Sequence, residues 1–448
     1  MAVIDFSRYR NQKSGNANGR DDGYYDDDDT DSRGGGYYDD DDRPIEKPKE
    51  KPKEKTARHA RKPRVLEIVI LVGAVALLVA AILLQSKTRT FSGADYTKIT
   101  DLTSVETANA DSSESSDLTQ QYFGTQYLAL GSNIVSYSAD GISCMDQGGN
   151  MLWNQTFEMQ QPLVAISGSV LAIADYNGST VYIFNSTSML GSVSTDLPIR
   201  GLAVSESGET AVILNDTDNT WFYLYNVSGE TISYGKMSID KTGYPISLAI
   251  SPNGEMVAIS HLTMGTGNVE TQIAFYNFGA VGKSYTDNMV SGTNFDDEVF
   301  AYMAFFDDDT SVAVSDQRIA FFDGSEIPQN TNTAMVQEEL KGVYSNSSYI
   351  AILVPDTTGA NEYLLRVYDR AGNVVGEIPF SLEYTAIQLC GDRVVINNDD
   401  TLLVYNVDGT ARYSGNFDSK VRAVIPQESS MSRYIIVTDS EVELMTLQ

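Results

Sequence analysis

Histidine, cysteine and tryptophan are nearly missing from this chain: two of each in 448 residues. Two cysteines cannot build a disulfide framework or a four-cysteine zinc site. His59 and His261 leave almost nothing for a histidine metal cage or a hydrolase with a histidine base. Positive charge is also scarce, 31 Lys and Arg against 61 Asp and Glu. A net charge of -30 excludes a nucleic-acid binder, which must replace phosphate counterions with basic surface. No motif implies a cofactor or a bound metal, and no catalytic residue stands out.

The charge that is present falls into blocks. Residues 1–42 carry 5 basic and 12 acidic side chains, and residues 43–64 carry 10 basic and 3 acidic. From residue 86 onward the chain is acidic again, with 16 basic and 45 acidic side chains. Three electrostatic regimes imply three environments.

Between the second and third blocks lies VLEIVILVGAVALLVAAILL, from Val65 to Leu84. Ile68 to Leu84 has no charged or polar side chain. Twenty helical residues at about 1.5 Å each span about 30 Å, the thickness of a bilayer's hydrocarbon core. A buried core helix would be amphipathic, and this segment is apolar all round. The basic block on its N-terminal side places that side in the cytoplasm. The expectation is a single-pass, type II chain of the cell membrane, with residues 65–85 as the span and everything after them extracytoplasmic. A cleaved leader fits poorly, because 64 residues precede the apolar run.

Residues 1–64 have no apolar periodicity and read as a disordered cytoplasmic tail. GYYDDDD occurs at 23–29 and again at 36–42, which makes Tyr24, Tyr25, Tyr37 and Tyr38 candidate modification sites. The bland reading is a solvated charge block. The basic segment 43–64 is expected on anionic inner-leaflet lipids. Residues 86–116, rich in Ser, Thr, Asp and Ala, read as a flexible stalk.

The remainder, 117–448, is built from short strands and turn residues. One strand recurs: apolar, any, apolar, aromatic or Met, then Asp or Asn. It appears as ISCMD (142–146), VYIFN (181–185), FYLYN (222–226), IAFYN (273–277), IAFFD (319–323), LRVYD (365–369) and LLVYN (402–406), with VELMT (442–446) as an eighth. The mean step is about 43 residues, the period of a four-stranded propeller blade. Upstream of each lies a second hairpin, clearest in ISLAISPNGEMVAIS at 246–260. The Asp or Asn that ends the strand caps the turn behind it.

This pattern resembles the β-propellers of the WD-repeat, TolB-like and quinoprotein-like superfamilies. In its layout the chain is similar to uncharacterised membrane-anchored propeller proteins of Gram-positive bacteria. The resemblance implies an all-β propeller, and the count of eight c strands makes it eight-bladed. Seven blades is the alternative, if residues 324–345 are an insertion. The last unit lacks an outer strand, and 117–124 (DLTQQYFG) is expected to supply it, since an open edge invites aggregation.

Enzyme families on this fold are poorly matched. A quinoprotein dehydrogenase would need more tryptophans and an adjacent cysteine pair. DTDNTW at 216–221 imitates a sialidase turn, but Asp218 stands at its Gly position and it lies in the wrong hairpin. Asp307, Asp308 and Asp309, and the run Asn397 to Asp400, read as solvated turns. Cys144 and Cys390 are expected to be unpaired and buried, and His261 is expected in a loop after a strand. The functional expectation is a binding or scaffold module for an envelope protein or glycan. The alternative is a carboxylate-dependent hydrolase of envelope glycans. Raised, converging carboxylates would favour the enzyme, and an aromatic or apolar patch would favour binding.

Overall fold

The computed structural model describes residues 3–5, 71–79, 89–102, 124–216, 219–237, 242–264 and 268–448. Two compact units divide the chain, one of Met1–Arg8 with Ser86–Gln448 and one of Tyr9–Gln85.

In the smaller unit residues 71–79 are helical. Leu71, Val72, Val75, Leu77, Leu78 and Val79 are all exposed there. No described helix is long and apolar enough to cross a membrane. Val65 and Leu84, the ends of the expected span, lie outside the described residues, as do the tail tyrosines and the basic segment 43–64.

The larger unit is an eight-bladed β-propeller. Among the described residues it forms eight antiparallel sheets, each a four-stranded meander. The strands of each blade are here named a to d from the inside outward. Blade 1 runs from Gln126 to Thr156, blade 2 from Pro162 to Ser194, blade 3 from Ile199 to Met237 and blade 4 from Tyr244 to Asp296. Blade 5 runs from Phe300 to Met335, blade 6 from Gly342 to Phe380 and blade 7 from Ala386 to Asn416. Blade 8 takes its a, b and c strands from Val421–Pro426, Arg433–Thr438 and Glu441–Leu447. A short extra strand, Val3–Asp5, runs parallel to the d strand of blade 3.

The a strands lie at the axis, where those of blades 2 and 3, 3 and 4, 4 and 5, 6 and 7, and 8 and 1 meet. Alternation along each strand sends side chains to both faces of its sheet. Both faces must then be covered by neighbours. The apolar side chains gather accordingly into eight clusters, one between each pair of adjacent blades. The cluster holding Leu102, Ile134, Met145, Ile425 and Ile435 closes the ring. Burying such faces contributes about 25 cal/mol per Å² of apolar area, which a separate blade could not collect.

The recurrent Asp or Asn performs the expected capping. Asp146 Oδ1 accepts the backbone N–H of Gly148 and of Asn150. Asn226 and Asp369 make the same pair of bonds in blades 3 and 6.

Three expectations are corrected. The outer strand of blade 8 is Ala94–Asp101, antiparallel to Glu441–Leu447, and not 117–124, of which only residue 124 is described. Residues 94–101, expected within a stalk at 86–116, therefore belong to the propeller. Residues 324–345 are no insertion, because Gln329–Met335 is the d strand of blade 5 and Gly342–Ser345 the a strand of blade 6. His261 lies inside the b strand Met256–Met264 and is buried.

Candidate functional site

The most distinctive surface is an aromatic ladder on blade 3. Its c strand, Thr220–Tyr225, places Trp221, Tyr223 and Tyr225 on one face by simple alternation. That face turns toward blade 2, where Trp221 and Tyr223 rest against the cluster of Val212, Leu214 and Val193. Register then brings the d strand into play: Tyr234 stands directly opposite Tyr223. The rings of Tyr223 and Tyr234 stack with centroids 5.3 Å apart, and those of Tyr223 and Tyr225 at 5.6 Å. Trp221 lies 6.4 Å from Tyr223 and 6.5 Å from Tyr234. Lys236 holds its ammonium 5.5 Å from the Trp221 ring centre.

Trp221, Tyr223 and Tyr234 are half-buried, while Tyr225 is buried in the core between blades 2 and 3. Burial pushes the Tyr225 hydroxyl up to about 12, with Tyr223 and Asp196 adding to the effect. Burial also raises Tyr223, helped by Tyr234 and Asp196. Among the described residues the indole Nε1 of Trp221 is buried and meets no hydrogen-bond acceptor. Such a donor normally finds one. The half-buried rings stack beside a cation, Lys236, and a nearby carboxylate, Asp196.

Three turn carboxylates, Asp146, Asp307 and Asp356, are held ionised. Burial works against Asp307, but the side chain and backbone of Thr310, the backbone of Asp309 and the Arg370 guanidinium keep it below the usual range. Hydrogen bonds from Asn150 do the same for exposed Asp146, and those from Thr358 for Asp356. Glu298 is buried and accepts from Arg318 Nε at 2.8 Å, from Arg318 Nη2 and from Ser315 Oγ at 2.8 Å. This pair locks the entry of blade 5 and is saturated.

Glu443 differs. Burial first, then the charges of Glu441 and Asp418, raise it, with Lys98 opposing. It lies on the c strand of blade 8, near Tyr96. Among the described residues no three His, Cys, Asp or Glu side chains are grouped to hold a metal ion.

Both cysteines are free and buried. Burial pushes Cys144 up to about 11. Burial also raises Cys390, although Arg393, whose Nη2 lies 3.3 Å from its sulfur, pulls the other way. Asp307–Asp309 and Asn398–Asp400 are turns, as expected, while Asn397, expected in the second of them, ends a strand and is buried: Asp307 Oδ1 caps the backbone of Asp309 and Thr310, and Asn398 Oδ1 that of Asp400 and Thr401.

The c-strand repeat exposed Tyr223 and Tyr225 to sequence reading. Their partnership with Tyr234 and Lys236 was hidden, since it needs the c–d register, which includes a bulge at Leu224/Tyr225.

The family described as "Family of unknown function (DUF5711)" matches residues 100–447, and the chain belongs to that family. No curated protein matches it. Solved propellers resemble it at low identity. BamB from Moraxella catarrhalis is 14% identical, with 72% of this chain and 96% of that one covered and a TM-score of 0.42. Sqt1 from Saccharomyces cerevisiae is 11% identical over 73% and 98%, with a TM-score of 0.45. A eukaryotic initiation factor is 12% identical over 72% and 84%, with a TM-score of 0.47.

Proposed function

We propose that this DUF5711 chain is a membrane-anchored binding or scaffold module whose propeller engages an envelope protein or glycan outside the cell. The observation that carries the reading is the ladder of Trp221, Tyr223, Tyr225 and Tyr234. Aromatic surface on a rigid sheet binds at low entropic cost, because few side-chain torsions are left to freeze. The anchor is the apolar run 65–84, whose basic N-terminal flank sets the orientation and would rest on anionic inner-leaflet lipids. The apolar side chains of residues 71–79, all exposed, suit a lipid environment.

Two measurements test this. Full-length protein should co-sediment with purified cell-wall glycan or crosslink to one envelope protein, and Tyr234→Ala should weaken that capture at least tenfold. Equal capture by the variant removes the ladder from the function. Impermeant labelling of Ser228→Cys on intact cells should succeed, and labelling only after lysis inverts the topology. The same reading puts Val3–Asp5 on the cytoplasmic side, away from the blade 3 strand that it adjoins in the structure, so Val3→Cys should be labelled only after lysis.

Glu443 supports the second reading, a carboxylate-dependent glycan hydrolase, because a raised carboxyl beside two others is how a general acid is tuned. Glycan release that Glu443→Gln abolishes would establish it.

A further inference from the structure

Every blade turns its a–b and c–d hairpins to one face of the ring. More of the large apolar side chains exposed on the propeller lie there than on the opposite face, which exposes Tyr244, Met264, Val299 and Met335. Met151 opens the d strand of blade 1, Leu190 is the second residue of that of blade 2, and Ile232 the second of that of blade 3. Val374 opens the d strand of blade 6, while Ile327 and Met431 stand in the turns of blades 5 and 8 on the same side. These six are between 37% and 55% exposed. The start of a d strand is the outermost corner of a blade, where nothing requires an apolar residue. Its recurrence in blades 1, 2, 3 and 6 marks a surface that meets something apolar. The acidic a–b turns, with Glu206, Glu209 and Asp307, lie nearer the axis, inside this rim.

The chain enters on the same face. Phe91 donates its backbone N–H to the carbonyl of Arg412 at 2.8 Å, and Ser92 donates to that of Gln448 at 2.9 Å. The guanidinium groups of Arg89 and Arg412 lie 5.4 and 5.5 Å from the Phe91 ring centre. From Leu84 to Phe91 only residues 85–90 intervene. Fully extended they reach about 25 Å. A blade strand of six residues is about 20 Å tall. The lead therefore joins the propeller on its turn face, and turning the opposite face to a bilayer would need it to run almost fully extended down the outside of a blade.

We infer that the propeller lies on the outer surface of the membrane, turn face down, with the apolar rim seated in the lipid interface. This inference rests on the anchored reading of residues 65–84. The occupant of the rim is the lipid surface itself, and the axis and the opposite face, with its b–c and d–a loops, remain free for a ligand. Because the acidic turns share the face, zwitterionic lipid should be held at least as well as anionic lipid.

The test uses the full-length chain in phosphatidylcholine vesicles, with and without brominated acyl chains. An environment-sensitive fluorophore is attached at Leu190→Cys, at Val374→Cys or, on the opposite face, at Met264→Cys; the native thiols are buried. At least twofold quenching is expected at positions 190 and 374, and none at 264. Vesicles that carry the protein without quenching at 190 and 374 overturn the docked face alone. Quenching at 264 instead reverses the orientation. Protein that fails to float with vesicles overturns the anchor and this inference with it.

Discussion

Ala94 stands opposite Leu447, so the outer edge of the last blade is sealed by a strand that precedes the first. The side chain of Gln448 reaches back to Asp95 across the same join. A propeller closed this way cannot open at blade 8 without breaking both ends of the chain.

Leu102 is the residue on which that closure should depend most. It follows the closing strand directly, is 4% exposed and packs among Ile134, Met145, Ile425 and Val442. Leu102→Ala should cost about 2–5 kcal/mol, the range for a core leucine whose cavity collapses incompletely. Chemical unfolding of the detergent-solubilised protein measures it. A loss below about 1 kcal/mol would mean that the strand decorates the ring and does not close it.

The closing strand also shows why the fold was legible in sequence while its join was not. The c strands announced themselves because they are buried on both faces and end in a capping Asx, as Thr180–Asn185 does. Outer strands are held by backbone hydrogen bonds and carry little apolar pattern. Ala94–Asp101 reads ADYTKITD, and most of its side chains are exposed. Gln329–Met335 reads QNTNTAM, which is why blade 5 looked incomplete. His261 was misplaced for a related reason: the b strand of blade 4 runs to Met264, past the point where a polar residue suggested its end. The ladder was half legible, since alternation is local and register is not.

His261 should make the propeller sensitive to mild acid. Burial lowers its imidazole from 6.5 to about 4, beside the Tyr276 hydroxyl at 3.2 Å. Below 6.5 the unfolded chain takes up a proton that the folded one refuses. The stability is complete above pH 6.5, declines as pH falls toward 4 and then levels off. Between pH 7 and 5.5 the loss from this residue should be about 1 kcal/mol, and about 3 kcal/mol over the whole window. Comparing wild type with His261→Gln at pH 7 and 5.5 isolates it; identical pH slopes would show that the imidazole titrates normally.

The Glu298–Arg318 pair predicts an asymmetry between single and double variants. Arg318→Met strands a carboxylate that is 3% exposed, and the cost should be about 3 kcal/mol. Adding Glu298→Gln removes the stranded charge and should restore part of that stability. A double variant as unstable as the sum of the two singles would show that the groups do not act as a pair.

Glycine at the blade boundaries carries the last prediction. In Gly191, on the d strand of blade 2, a Cβ would collide with the carbonyl oxygen of Val227 in the c–d turn of blade 3. In Gly376, four blades on, a Cβ would collide with the carbonyl of Val407 in the c–d turn of blade 7. Each lies where one blade's outer strand passes the next blade's turn, and the partner is backbone, which cannot rotate aside. Alanine at either position must push two blades apart, a strain of about 1–3 kcal/mol. The effect should be local, lowering the unfolding midpoint while leaving the distant Leu102 cluster protected in hydrogen exchange until global unfolding. Gly359, in a turn where a Cβ would meet nothing, has a φ of +75°, so Gly359→Asn should be tolerated. If Gly191→Ala were as mild as Gly359→Asn, the blades would not be in the close register that their turns describe.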